Sequence, residues 1–239
     1  MTNTVEISQG RAGRLAGVGY LVIFVLAFFA NFFVLSRLIA PGNPSLTAEN
    51  IMGAEGLFRS GIASFLVVLL CDLAVGWALF VLFRPVSRSL SILATMFRMA
   101  YTVIHGGSLL MLVFALRLLG GGEWLGAFET NQVHTLALMF LDGHNYGFVI
   151  ALTFFGVHLA VLGYLIIKSG YLPKALGVLL ILSAFGYVFD TFANIMLPNY
   201  ADYADIFLAI VAVPSIISEF WLCLWLLLGK VKIERAGQD

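Results

Sequence analysis

Long apolar runs alternate with short polar connections along the chain. Six of the runs reach about 20 residues or more, the length that an α-helix needs to cross the hydrocarbon core of a bilayer. They lie at residues 15–38, 60–83, 90–118, 146–168, 174–197 and 204–229. This pattern predicts an all-α fold, a polytopic membrane helix bundle with six transmembrane helices in a single domain over residues 1–239.

The composition supports a membrane protein and excludes one class of partner. Of the 239 residues, 61% are hydrophobic and only 11% are charged, far from the balance of an average soluble domain. The formal net charge is +0, and the Lys and Arg residues are dispersed rather than clustered as a nucleic-acid interface requires. We therefore expect contact with the lipid bilayer and none with nucleic acid. The oligomeric state and any cofactor are left open.

The positions of Lys and Arg predict the orientation in the membrane. By the positive-inside rule, the ends of the spans that carry more of these residues face the cytoplasm. One side is flanked by Arg11, Arg14, Arg84, Arg88, Lys168, Lys174, Lys230, Lys232 and Arg235. The other side is flanked by Arg37, Arg59 and Arg117. Both termini are therefore expected in the cytoplasm, and residues 120–145 are expected outside, with an amphipathic stretch before the fourth span.

An internal similarity indicates helical hairpins in tandem. Shifting the sequence by 86 residues places Asp72 on His158 and aligns "LAV" at 73–75 with "LAV" at 159–161. Glu219 stands eleven residues before a basic inner end, much as Asp72 stands twelve residues before Arg84. Three tandem helical hairpins around a shared interior would explain this spacing. Six helices without real symmetry, matching by chance, are the alternative.

Four ionisable residues form what we call the midplane layer: Asp72, Arg98, His158 and Glu219. Each stands ten to twelve residues from a basic inner end, so a rise of about 1.5 Å per residue places it roughly 15 to 18 Å deep. Asp72 and Arg98 are predicted to form a buried ion pair, because ionisable residues within membranes usually pair with one another. With Arg98 engaged, Glu219 is expected to be protonated or to share a proton with His158.

A second group of polar residues, the outer layer, lies nearer the predicted outer surface. Its members follow helical spacing on the third and fifth spans, so their stripes should face the protein interior. The outer layer consists of Tyr101, His105, Asp142, His144, Tyr187, Asp190 and Asn194. His and Asp side chains suit zinc and other divalent ions, so His105, His144, Asp142 and Asp190 are candidate metal ligands. No local spacing such as HExxH supports a metal, and Asp142 could instead cap the start of the fourth span.

Several polar positions within the apolar runs resemble a known family. They are "EGLFR" at 55–59, Cys71 and Asp72 in mid-helix, "FRPV" at 83–86, "MFLDGHNYG" at 139–147, "FFGVHLAVLGYL" at 154–165 and "KSGYLPKALGVLL" at 168–180. Together they resemble the bacterial membrane family described as domain of unknown function DUF4386. The resemblance implies a multi-pass protein of the bacterial cytoplasmic (inner) membrane. It implies no activity, cofactor or catalytic residue.

Three functions are compatible with these patterns. The first is a transporter-like or permease-like protein that handles protons in the midplane layer and takes a small polar substrate, an ion or a lipid. The second is a non-catalytic membrane protein whose buried charges specify packing and which binds lipid or a partner protein. The third is an intramembrane metal-dependent hydrolase that uses the outer layer. Whether the chain is an enzyme is therefore open.

Overall fold

A computed structural model describes residues 7–231 of the chain, apart from the side chain of Trp124. The main helices are α1 Gln9–Phe28, α2 Ser36–Leu38, α3 Pro44–Gly53, α4 Glu55–Phe83, α5 Arg88–Leu119, α6 Thr130–Ser169, α7 Lys174–Met196 and α8 Ala204–Leu227. A π-helical segment, Phe29–Leu35, joins α1 to α2, and 3-10 turns lie at Glu123–Leu125 and Tyr200–Asp202. Within the described residues the predicted all-α polytopic fold is confirmed.

Six helical stretches are long and apolar enough to cross a membrane. They are Gln9–Leu38, Glu55–Phe83, Arg88–Leu119, Thr130–Ser169, Lys174–Met196 and Ala204–Leu227. The number of spans agrees with the sequence pattern, and five of the six differ from the predicted ranges by only a few residues at each end. Two residues used for the orientation, Lys232 and Arg235, lie outside the described residues.

The fourth span differs from the prediction at its beginning. The sequence pattern predicted a helix from residue 146, whereas α6 is one continuous helix of 40 residues that begins at Thr130. Asp142 therefore lies inside the helix and does not cap its start. The start is instead capped at Glu129, whose backbone N–H donates to the Gln132 side chain over 2.9 Å. Gly143 alone does not interrupt the helix, because its φ is not positive and no proline lies nearby.

The contacts divide the chain into two compact units. The first unit contains the described residues of Met1–Leu21, Cys71–Tyr101 and Leu152–Asp239. The second unit contains Val22–Leu70 and Thr102–Ala151. Helices α1, α4, α5 and α6 each contribute residues to both units.

Close backbone contact holds α6 and α7 together in the first unit. A Cβ atom added to Gly163 would lie 2.5 Å from the carbonyl oxygen of Gly177, and one added to Gly177 would lie 2.6 Å from that of Gly163. No larger side chain fits either position without moving a helix. Small residues at such crossings are typical of helix pairs in membranes, where packing rather than hydrophobic burial drives association.

The second unit has an apolar core and an unusual helical turn. Its core includes Val34, Phe58 and Phe65, all of which are almost completely buried. In the π-helical segment, the backbone N–H of Ser36 donates to the carbonyl of Asn31, five residues earlier. Such i to i+5 turns are rare, and they occur frequently at functional sites.

Candidate functional site

Arg98 is the centre of a buried polar cluster in the first unit. Its side chain is 1% exposed, and its Nη2 lies 2.5 Å from Oδ1 of Asp72, which is 2% exposed. Its Nε also donates to the backbone carbonyl of Asp72 over 3.3 Å. The ion pair predicted between Asp72 and Arg98 is therefore confirmed.

The other side of the Arg98 guanidinium contacts two uncharged partners. Nη1 donates to the hydroxyl oxygen of Tyr20 over 2.9 Å and lies 3.2 Å from Nε2 of His158. On the far side of its ring, Nδ1 of His158 lies 2.8 Å from the carbonyl oxygen of Ala94. A carbonyl can only accept, so Nδ1 of His158 carries the proton and Nε2 accepts from Arg98. His158 is therefore neutral in this arrangement, and it orients the guanidinium.

Aromatic rings pack against the faces of the same guanidinium. The Cζ atom of Arg98 lies 4.9 Å from the ring centroid of Tyr20 and 5.6 Å from that of Phe155. These distances are within the range of cation–π attraction, which strengthens when the cation is removed from water. The Tyr101 ring also contacts Phe155, with centroids 4.9 Å apart. The aromatic contacts thus fix the position of Arg98 in addition to its hydrogen bonds.

The Asp72 carboxylate is only half satisfied. Its Oδ2 atom is buried and has no hydrogen-bond partner among residues 7–231. Buried polar atoms are nearly always paired, because an unpaired one loses its hydration without replacement. Oδ2 of Asp72 is therefore the position in the cluster where a proton or a ligand donor can be added without breaking an existing hydrogen bond.

Glu219 has a partner other than the predicted one. Its Oε1 accepts a hydrogen bond of 3.0 Å from the hydroxyl of Tyr187. Both nitrogens of His158 are occupied by Arg98 and Ala94. Within residues 7–231, Glu219 makes no hydrogen bond to His158. Of the two alternatives expected for Glu219, a proton shared with His158 is therefore wrong, and protonation of Glu219 stays a prediction.

In the second unit, two buried histidines of the outer layer lie side by side. The ring centroids of His105 and His144 are 6.0 Å apart. Nδ1 of His144 lies 3.1 Å from the hydroxyl oxygen of Ser108 and 3.2 Å from its carbonyl oxygen. The Ser108 hydroxyl donates its own proton to the carbonyl of His105. Nδ1 of His144 is therefore the donor, and its Nε2 is left as an acceptor.

The remaining residues of the outer layer have separate environments. In the first unit, the hydroxyl of Tyr200 donates to Asp190 over 2.6 Å. Partial burial and this hydrogen bond raise the pKa of Tyr200, and a further hydrogen bond from Asn194 opposes the rise. In the second unit, Asp142 is exposed.

The chain matches a known protein family over most of its length. The family model described as domain of unknown function (DUF4386) matches residues 15–229. The chain belongs to this family. The chain is also 31% identical over 140 residues to an uncharacterized protein from Archaeoglobus fulgidus. That match covers 59% of this chain and 70% of the relative. No solved structure matches the chain.

Family membership confirms the resemblance but brings no activity, because neither DUF4386 nor the relative has a described function. A bacterial origin stays a prediction.

The candidate metal ligands of the DUF4386 chain do not form a metal site. Within residues 7–231, no group of three or more His, Cys, Asp or Glu side chains is arranged to hold a metal ion. His105 and His144 are neighbours, but Nδ1 of His144 is occupied by Ser108. The hydrolase hypothesis therefore lacks a ligand set in the described part of the chain.

Tyr20 is the member of the polar cluster that sequence reasoning missed. It lies on α1, where the buried residues are Ala12, Gly13, Ala16, Gly17 and Tyr20. Ala12, Ala16 and Tyr20 recur every four residues, which places them on one face of the helix. A stripe of small residues that ends in a tyrosine was the signal in the sequence, because a small-residue face marks close helix packing and the hydroxyl needs a buried partner.

Proposed function

We propose that this DUF4386 protein is a permease-like membrane protein whose buried Asp72–Arg98 pair binds and releases a proton. One observation carries the proposal: Oδ2 of Asp72 is buried and has no hydrogen-bond partner within residues 7–231. A carboxylate kept only for packing would be expected to have both oxygens paired. Ionisable residues within membrane spans are commonly parts of proton relays or substrate sites.

Protonation at Oδ2 would change the balance of charge in the cluster. The carboxyl becomes neutral, the attraction between Asp72 and Arg98 falls, and the guanidinium keeps its charge among neutral partners. His158 and Tyr20 hold the guanidinium but do not neutralise it. The protonated cluster therefore favours an arrangement in which Arg98 turns to another anion. Two arrangements that differ in proton content are what proton coupling of a conformational change requires.

Glu219 is a second carboxyl group in the first unit that interacts with the charge of the Arg98 guanidinium. Its electrostatic interactions include both Arg98 and Asp72. One guanidinium can balance only one carboxylate, so Asp72 and Glu219 compete for it. We assign Glu219, hydrogen-bonded to Tyr187, as the second proton site of the cycle. The transported species would be a small polar substrate or an ion.

The proposal includes a location. The basic residues at the ends of the spans favour the cytoplasmic membrane with both termini in the cytoplasm. The connection at 120–129 is then external. The same charge bias applies to any bacterial multi-pass protein, so it supports the orientation and not the activity.

A second candidate function is a non-catalytic membrane protein whose buried charges specify packing. The observation in its favour is that the Arg98 guanidinium is held by Asp72, Tyr20 and His158, which are side chains of the same unit. A cluster with fixed internal partners can select one arrangement of helices without any turnover. The two functions differ in whether the cluster changes its proton content.

Infrared difference spectroscopy between pH 5 and pH 8 tests the proposal in the reconstituted protein. We expect a protonated-carboxyl band that changes across this range, is reduced in Asp72→Asn and is altered in Glu219→Gln. Asp202→Asn, an exposed carboxylate on a 3-10 turn, serves as the matched control and should leave the band unchanged. A wild-type band that does not change between pH 5 and pH 8 would overturn proton handling and favour the packing function. So would a band that remains the same as in wild type in both Asp72→Asn and Glu219→Gln.

A further inference from the structure

The second unit contains a cavity that the proton-handling proposal does not use. It has a volume of about 540 Å³, within the range of small-molecule sites in proteins. One wall is the π-helical segment and the residues that follow it, and the other is the middle of α6. Its polar lining residues are Asn31, Ser36, Asp142, His144 and Asn145. The rest of the lining is apolar and includes Phe148.

Two independent features mark this cavity as a binding site. The first is His144, which lines the cavity at only 5% exposure and donates through Nδ1 to Ser108. Its Nε2 makes no hydrogen bond within residues 7–231, so an acceptor remains available on a buried side chain. The second is the π-helical turn that carries Asn31 on the opposite wall. Such turns are rare and occur frequently at functional sites.

The cavity offers several hydrogen-bond acceptors. Asn31 donates one of its two side-chain N–H groups to the carbonyl of Ala27, and its side-chain oxygen can accept a hydrogen bond. Ser36 donates its hydroxyl proton to the carbonyl of Asn31. His144 offers Nε2, and Asp142 adds a carboxylate that has no ion pair within residues 7–231. Among these groups, a ligand that donates hydrogen bonds is favoured over one that accepts them.

The charge of Asp142 and the apolar lining of the cavity restrict the class of ligand further. Asp142 is the charged residue of the lining, so the complementary ligand is a cation. A metal ion is disfavoured, because no group of three or more ligating side chains occurs within residues 7–231. The apolar lining, including Phe148, suits a hydrocarbon or aromatic body. We infer that this cavity binds the primary ammonium group of an amphiphilic amine, with Asp142 balancing its charge and His144 accepting one of its hydrogen bonds.

The same chemistry occurs in a free amine and in the headgroup of an aminophospholipid. In either case the ammonium places its N–H groups toward Nε2 of His144 and the carboxylate of Asp142, while its apolar body contacts Phe148. All lining residues of this cavity belong to the second unit. Failure of the amine site would therefore leave the proposal for Asp72 and Arg98 untouched, and the reverse also holds.

Binding of phenethylamine to the full chain tests the inference. The protein is placed in nanodiscs of phosphatidylcholine and phosphatidylglycerol, which carry no primary amine, and its histidines are labelled with ¹⁵N. We expect the Nε2 resonance of His144, assigned through His144→Gln, to move on addition of the amine. Calorimetry should show about tenfold weaker binding for Asp142→Asn and an unchanged affinity for Asp202→Asn. The uncharged analogue 2-phenylethanol should also bind about tenfold more weakly.

Three results would overturn the inference: a His144 resonance that does not move, an Asp142→Asn variant that binds as tightly as wild type, or equal affinity for the alcohol. A second set of nanodiscs containing phosphatidylethanolamine distinguishes the two sources of the ammonium group. Competition between this lipid and phenethylamine identifies a lipid headgroup as the ligand. Undiminished amine binding identifies a free amine, and both of these results support the site.

Discussion

Two ion pairs of nearly equal length allow a direct test of what burial does to a charge pair. Arg98 and Asp72 are 2.5 Å apart, with side chains that are 1% and 2% exposed. Arg59 and Glu55 are 2.6 Å apart on one turn of α4, with side chains that are 62% and 40% exposed. The first pair lies where water cannot replace a lost partner, and the second lies where it can. We expect the two pairs to respond very differently to neutralisation.

For the buried pair, removing one partner should reduce the free energy of unfolding by about 3 to 5 kcal/mol. Arg98→Gln should lie near the upper end, because it leaves the Asp72 carboxylate without a cation. Asp72→Asn should lie near the lower end, because Arg98 keeps Tyr20, His158 and the backbone carbonyl of residue 72. The double variant Asp72→Asn/Arg98→Gln removes both charges and should lose less than either single variant.

For the exposed pair, Glu55→Gln should change the free energy of unfolding by only about 0.3 to 0.5 kcal/mol. The assay is reversible unfolding in mixed micelles with increasing sodium dodecyl sulfate, followed by tryptophan fluorescence. Its readout for the buried pair is the coupling between the two substitutions. A double variant no more stable than the worse single variant would falsify a mutually compensating pair. Equal losses for Glu55→Gln and Asp72→Asn would refute the role of burial.

The remaining predictions concern helix packing, topology and the orientation of the guanidinium. Gly163→Ala should destabilise the protein, because the added methyl group meets the backbone of α7. Gly107→Ala meets no atom within 4 Å and should be neutral or stabilising by up to about 1 kcal/mol. Thermal unfolding of the two variants measures the difference. Reporter fusions at Gly121 and Ser169 should give opposite signals, and an external signal at Ser169 would contradict the orientation. His158→Gln, which can still donate and accept, should lose less stability than His158→Phe, which leaves buried partners unpaired at about 1 to 3 kcal/mol.

The sequence predicts how deep a residue lies along its helix better than it predicts the direction in which the side chain points. Asp72 and Arg98 could be paired in advance because they lie at matched depths on consecutive helices. Glu219 and His158 were matched by the same criterion, yet Glu219 contacts Tyr187 and His158 contacts Arg98. Depth follows from the rise of about 1.5 Å per residue, which is the same for every helix. The direction of a side chain depends on the rotation of each helix about its axis, which only packing determines.

The sequence also predicts some helix boundaries and misses others. The spans were predictable because a bilayer requires a minimum apolar length. The continuous start of α6 was not, because residues 130–145 are polar enough to suggest an external connection but contain nothing that stops a helix. The π-helical segment was not predicted either, since one additional residue in a helical turn leaves no mark in an apolar pattern. The three tandem hairpins and the single domain stay predictions.

The polar cluster around Arg98 and the cavity beside His144 differ in a way that makes their functions separable. The cluster around Arg98 contains an ion pair, and its open position, Oδ2 of Asp72, is an oxygen that can take a proton. The cavity beside His144 has no buried ion pair within the described residues, and its open positions are acceptors suited to a ligand that brings its own charge. Asp72→Asn should therefore remove the pH-dependent carboxyl signal and leave phenethylamine affinity unchanged. Asp142→Asn should do the reverse. A protein in which either substitution abolished both signals would be one in which the proton and the ligand are bound as a coupled unit, as proton-driven uptake of an amine requires.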